Sequence, residues 1–368
     1  MLKTFNCPAC SGPLDYTRDA GKVITCRFCG QSVMVPKQVQ EPSAKETPMP
    51  SGRSRRWVAM PVVIILGVAA WMFFMNRSTP APSSSGISSV PAPSLPAAPT
   101  PPPAGQGFQV ALSFGEEGIG PGGFEDARHI ALDGDGYIYV AEYSGGRIQR
   151  FDATGRFMTQ WLVDTEQVVR GMAADRNGIV YIVQRGKIQR YQGATGEALG
   201  TWSAPFWIDG IYPAADGGLL AFGGGASPAQ VVRINAQGQA QEAFQTQARN
   251  ARAALDGLGN TYVLGGFSER GKRHVAVLKY DLSGTYLNRF GGLGDEPGQF
   301  RAPHAIAVDG RERIYVSDFS GIEVFDSEGR YLGNLDLGPS IFGMIFNDQN
   351  ELFVVERNAH RVVKVILP

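Results

Sequence analysis

After Cys29 the chain contains no cysteine, and it holds only four in 368 residues. The long C-terminal part is therefore not built on disulfides, and an oxidising compartment would leave it unharmed. Histidine is equally scarce: four in all, none in residues 1–106. No tract is dense enough in Lys and Arg to form a nucleic-acid arm. No G-x-S-x-G, P-loop, H-E-x-x-H or Ser–His–Asp arrangement stands out, so the sequence speaks for architecture better than for activity. Net charge is absent too, at +0, but the balance hides an asymmetry. Residues 1–106 carry 10 Lys+Arg against 4 Asp+Glu, a net +6, and residues 107–368 carry 24 against 30, a net −6. Such a split points to separate domains and separate compartments.

The four cysteines form two C-x2-C pairs, Cys7/Cys10 and Cys26/Cys29, with fifteen residues between them. Two such turns bring four thiolates onto one tetrahedral ion, so residues 1–36 read as a zinc ribbon. One zinc ion held by Cys7, Cys10, Cys26 and Cys29 is structural, because four thiolates leave no open coordination position. Unliganded thiols or a redox pair are the alternatives. Four ligands without histidine are too few for a two-zinc RING.

Residues 37–56 read as a polar, basic linker. Residues 57–75, from Trp57 to Met75, are uncharged and overwhelmingly apolar. Nineteen residues at ~1.5 Å each give about 28 Å, enough for a transmembrane helix. Arg53, Arg55 and Arg56 precede this stretch and only Arg77 closely follows it, which puts the N-terminus in the cytoplasm and the C-terminal part outside. The run lies too far from the N-terminus, behind a folded domain, for a cleaved signal peptide. Residues 76–106, rich in Pro, Ser and Ala, read as a spacer.

Residues 107–368 repeat. A short apolar run, a turn residue and a strand recur around Asp133, Asp175, Asp216, Asp256, Asp309 and Asn347. Five copies continue into a third strand and a glycine, Gly155, Gly196, Gly238, Gly284 and Gly329, followed six residues later by Trp161, Trp202, Phe244, Phe290 and Leu335. Four strands per ~40 residues is the pattern of a β-propeller blade. The sixth copy stops after three strands. Phe108–Phe114 has the character of the missing fourth, so the ring should close with six blades.

The repeat resembles the NHL family. The match is clearest in Phe300-Arg-Ala-Pro-His-Ala-Ile-Ala-Val-Asp309 with Ile314-Tyr-Val-Ser-Asp318, and it extends over about 260 residues. The resemblance implies an all-β, six-bladed propeller. The repeated Asp residues read as turn caps rather than calcium ligands, since no downstream ligand spacing accompanies them.

In such a fold the innermost strands line a central channel. The residues ahead of each turn predict a ring at one mouth: His129, Gly171, Tyr212, Arg252, His304 and Gly343. Of these, His129, Tyr212, Arg252 and His304 are the candidate ligand-binding residues, with Glu142, Asp318 and Glu356 as carboxylates on the same face. Three functions are weighed. The first is a membrane-anchored binding or sensing protein, whose propeller takes a protein or small-ligand partner and whose ribbon docks in the cytoplasm. Its layout resembles receptor kinases with an external NHL sensor, without the kinase. The second is a metal-dependent lyase or lactonase, since related propellers use a metal at the channel mouth. The third is RNA binding, known in some NHL proteins, against which the −6 charge and external location argue.

Overall fold

The two-residue alternation in each repeat should give strands with both faces buried, and it does. In blade one, Ile138 and Val140 turn to one side while Tyr139 and Ala141 turn to the other, all at or near zero exposure. A computed structural model describes residues 107–224 and 228–368, together with four short strands in the first 36 residues. Residues 107–368 form six four-stranded antiparallel sheets around a central channel. The sheets of blades one to five run in chain order. They begin with the inner strands Ala127–Leu132, Gly171–Ala174, Ile208–Pro213, Arg249–Leu255 and Ile306–Val308.

Blade six consists of Ile341–Phe346, Leu352–Glu356, Arg361–Ile366 and, as its outer strand, Gln109–Phe114. Val362 faces Phe114 and Ile366 faces Gln109 across this last antiparallel ladder. The chain thus closes its own ring with the segment expected from the sequence, and no open edge is left on blade six.

The core is divided among the junctions between blades. Six clusters of buried side chains lie one at each junction, including the closing one, where Ile130, Ile138 and Phe151 meet Ile345, Val355 and Val362. A blade contributes one face to each neighbour, which is why its strands read as almost continuous apolar runs.

A second device links neighbouring blades. Gly155 sits at φ +80, and a Cβ there would lie 2.5 Å from the ring of Phe114 on the blade before. The same interlock sets Gly196 on Trp161, Gly238 on Trp202, Gly284 on Phe244 and Gly329 on Phe290. The glycine and the aromatic six residues later, which the sequence reading placed together in one blade, thus serve two different junctions. Each glycine receives the aromatic of the preceding blade.

The turn acids behave as caps. Asp133 Oδ1 accepts from the Asp135 and Tyr137 amides at 3.1 and 2.9 Å, while Oδ2 accepts from Tyr139 Oη at 2.8 Å. Asp175, Asp256 and Asp309 repeat the arrangement with Tyr181, Tyr262 and Tyr315. Burial first, and the neighbouring aspartate next, push these four phenols well above the usual tyrosine range. Every carboxylate oxygen here has a donor, so the repeat is structural.

Blade three departs from the sequence reading. There the turn residue is Ala214, whose amide donates to Gly218 as Asp133 donates to Tyr137, and Asp216 lies two residues later. Without the acid the tyrosine is also lost, since Leu220 stands in its place. Asn347 in blade six still caps the Gln349 and Glu351 amides, and Phe353 replaces the tyrosine there. The extra residues around Gly265–His274 lengthen one hairpin of blade four, Thr261–Glu269 against Lys272–Tyr280.

In the N-terminal part, Lys3–Asn6 pairs with Pro13–Tyr16 and Val23–Thr25 with Ser32–Met34, both antiparallel. By sequence each C-x2-C pair falls between the strands of one hairpin. Cys7, Cys10, Cys26 and Cys29 lie outside the described residues, as do the expected span 57–75 and the spacer 76–106. Among the described residues no helix is long and apolar enough to cross a membrane.

Candidate functional site at the channel mouth

The inner strands converge on the axis so closely that side chains are excluded from part of it. A Cβ at Gly171 would sit 3.1 Å from the Gly210 Cα, and one at Gly343 would sit 2.8 Å from the Arg128 carbonyl. Immediately outside these glycines, four of the six inner strands carry a β-bulge, between Ala127/His129, Ile208/Gly210, Arg249/Arg252 and Ile341/Gly343. A bulge adds an unpaired residue and re-aims its side chain. In blades one, three and six the added residues are Arg128, Asp209 and Phe342, and all three line a cavity of 830 Å³ at the channel mouth.

His129, Tyr212, Arg252 and His304, expected from the sequence to form one ring, all line this cavity. They stand at different depths. His129 and Arg252 are equivalent positions, His304 lies one residue further out, and Tyr212 lies two residues further in than its counterpart Gly210, because blade three's turn is displaced.

His129 Nε2 and the Val169 carbonyl are 2.9 Å apart, so the ring nitrogen donates there in its protonated tautomer. Burial, opposed by that hydrogen bond and reinforced by Arg252 and Arg128, lowers this imidazole to about 4, so it is neutral at physiological pH. His304 stacks on Phe342 at 4.2 Å, and burial lowers its pKa too. Tyr212 packs against the cores on both sides of blade four, and burial raises its phenol to about 12. Arg252 faces the lumen, reached by solvent inside the cavity but surrounded by protein, and that enclosure pulls its guanidinium below the ordinary arginine value.

The expected carboxylates are not at the mouth. Glu142 is buried and accepts from the Glu125 and Asp126 amides and from Arg147. Asp318 caps the Arg301 and Ala302 amides at 3.0 and 2.7 Å. Glu356 is buried and paired with Arg361. Glu142 and Asp318 fasten loops, and Glu356 pairs across its own hairpin.

Sequence reasoning missed most of the basic groups. Arg128, Arg170, Arg249, Arg273 and Arg301 join Arg252 around the cavity, and among the described residues Asp209 is the one acid lining it. The signal available in the sequence was a charged residue directly before an inner strand's glycine or histidine, as in Arg128-His129, Arg170-Gly171 and Asp209-Gly210.

A divalent cation does not fit these residues. Among the described residues no three His, Cys, Asp or Glu side chains gather at one point. Six guanidinium groups would also repel a second positive charge in a partly enclosed space. The mouth suits a ligand that hydrogen-bonds to arginines and packs on rings. Its rim supplies a stacked array, with Arg128 4.0 Å from the Tyr143 ring centroid and 5.1 Å from that of Phe342.

No protein-family model and no curated protein matches the chain. Solved structures share its fold. A gluconolactonase from Xanthomonas campestris is 16% identical with a TM-score of 0.51, over 67% of this chain and 88% of its own. A streptogramin B lyase is 12% identical with a TM-score of 0.50, over 71% of this chain and 98% of its own. The hydrazine synthase of Kuenenia stuttgartiensis is 15% identical with a TM-score of 0.50, over 66% of this chain and 76% of its own. These likenesses establish the six-bladed propeller. The unlike chemistries of the three proteins show that the fold alone does not fix an activity.

Proposed function

We propose that this protein is a membrane-anchored binding protein with an NHL-type propeller as its external receptor domain, the ligand seating in the channel mouth. The observation that carries this reading is the mouth itself. Arg252, His129, His304 and a rim of aromatic rings converge on one 830 Å³ cavity, a volume suited to a small molecule. The polar groups there bind and orient. His129 is engaged with backbone and His304 is stacked, and no nucleophile held by a base was found among the residues lining the cavity.

The remaining parts of the proposal rest on sequence. Residues 57–75 would form the anchor with the propeller outside the cytoplasm, and residues 76–106 would hold it off the membrane. On the cytoplasmic side, Cys7, Cys10, Cys26 and Cys29 would hold one structural zinc ion. The two antiparallel hairpins that flank the cysteine pairs support this, because a ribbon presents its ligands from such turns.

Native mass spectrometry of the full chain, purified from its own membranes, tests the reading. A ligand should co-purify, remain chemically unchanged on incubation, and be lost from Arg252→Ala. Conversion of the bound species to a product would replace this reading with an enzymatic one of the lyase or lactonase kind.

A further inference from the structure

The arginines at the mouth are only partly neutralised. Arg128 pairs with Asp126, Arg170 with Asp209 at 3.6 Å, and Arg301 with Asp295. Arg249, Arg252 and Arg273 have no ion pair with a carboxylate among the described residues. Among the described residues, the one hydrogen bond from the Arg252 side chain runs from Nη1 to its own neighbour, the Ala251 carbonyl, at 3.1 Å. A guanidinium carries five N–H donors, so most of those on Arg252 are unspent inside a partly enclosed cavity.

All three of these residues belong to blade four, the blade with the lengthened hairpin. Arg249 lies beside Gly266 on the ladder, and Arg273 faces Ser268 on the hairpin's returning strand. Of the three, Arg273 belongs to the inserted stretch and Arg249 and Arg252 to the inner strand, and together they add positive charge to the mouth of a propeller whose net charge is −6. These basic groups converge on one pocket. Asp126, Asp209, Asp295 and Asp318 stand beside them. Such an arrangement suits a compact polyanion better than an extended one.

We infer that the channel mouth is a binding site for a small organic polyanion with at least two negative charges on carboxylate or phosphate groups, held by Arg252 with Arg249 and Arg273. Bidentate guanidinium–oxyanion pairing supplies the specificity. The rings of Phe342, His304 and Tyr143 cover the ligand's uncharged part. The inference rests on the channel mouth being the ligand site, as proposed above, and adds the ligand's charge.

Titration calorimetry on the full chain in neutral detergent tests it, with citrate and pyrophosphate as probes at fixed ionic strength. At least one probe should bind saturably, and Arg252→Gln should weaken it by about tenfold or more. Arg330→Gln, on a distant turn where Arg330 pairs with Asp326, should leave binding unchanged. A preference for citrate identifies a carboxylate ligand, and a preference for pyrophosphate a phosphate. The melting temperature of Arg252→Gln without probe checks that the variant is folded. Failure of both probes to bind, or equal binding by folded Arg252→Gln, overturns the inference and leaves a receptor for an uncharged ligand standing. Turnover of a bound probe would instead sink the receptor reading and keep the anion site.

Discussion

Phe114 is the residue on which ring closure can be tested most sharply. It ends the strand that completes blade six, faces Val362 across the ladder, and seats its ring on the glycine turn of blade one at Gly155. Its centroid is 4.7 Å from that of Phe151. Truncating a fully buried Phe to Ala costs about 3–5 kcal/mol. Phe114 is half-buried, so Phe114→Ala should cost roughly half as much, ~2 kcal/mol, part of it the lost ring pair. For a domain of this size that lowers the melting temperature by about 4–8 °C. Val110 on the same strand is 49% exposed, and Val110→Ala should fall within about 0.5 kcal/mol of wild type. Deleting residues 107–114 should cost more than Phe114→Ala, because Val362, Val363 and Val365 then lie on an open edge. Deleting 80–100, in the spacer, should leave melting unchanged. Hydrogen exchange supplies the local readout. Amides of 361–366 on blade six and of Gly155 on blade one should lose protection together in Phe114→Ala, though they are far apart in sequence. Unaltered melting of the 107–114 deletion, or loss of protection on blade six alone, would refute the closure argument.

Three further outcomes are expected. Tyr139→Phe removes the donor 2.8 Å from Asp133 and should cost about 0.5–1.5 kcal/mol by denaturant unfolding, whereas Leu220→Tyr in blade three, with no acid at Ala214, should give no gain. His129 is held near 4 in the folded state against about 6.5 unfolded, so the unfolded chain binds the extra proton between those values. Its stability contribution is therefore present above pH 6.5 and lost as pH falls towards 4. The gap in melting temperature between wild type and His129→Gln should shrink or change sign across that window. Finally, the full chain should carry one zinc by elemental analysis, released by a strong chelator and absent after Cys26→Ser together with Cys29→Ser.

Much of the fold was legible because period-two alternation and turn chemistry were strong in the same places. The Asp–Tyr pair marks blades one, two, four and five, and those blades were phased correctly. Blade three lost both residues to Ala214 and Leu220, so the nearest acid, Asp216, was taken for the turn residue two positions late. Closure was legible because Phe108–Phe114 has the alternation and terminal aromatic of an outer strand. The interlock was half-visible: the glycine and the aromatic were seen, but their six-residue spacing marks only a fourth strand in register. Only the three-dimensional stagger of neighbouring blades pairs each glycine with the preceding aromatic. At the mouth, all six residues named from their place before the turn line the cavity, four of them with side chains that can meet a ligand. Arg128 was missed because a β-bulge leaves no mark in hydrophobic alternation, and it is the bulge that turns this residue inward. Glu142, Asp318 and Glu356 were expected at the mouth from their position after the second strand. Loop amides take up Glu142 and Asp318 instead, and Arg361 takes up Glu356.

The glycine–aromatic interlock also bears on where this chain can begin. Five junctions use the same kind of key, and the closing junction is one of them, although its two halves come from opposite ends of the propeller. Gly107 and Pro368 lie side by side, with a Cβ on the former 3.2 Å from the latter's ring. A circularly permuted chain, joined there and reopened at the exposed hairpin tip Arg270–Gly271, would therefore retain every key and every ladder. Its termini would fall within blade four instead of at blade six. By this geometry the present starting point is one of several equivalent places at which the ring can be cut.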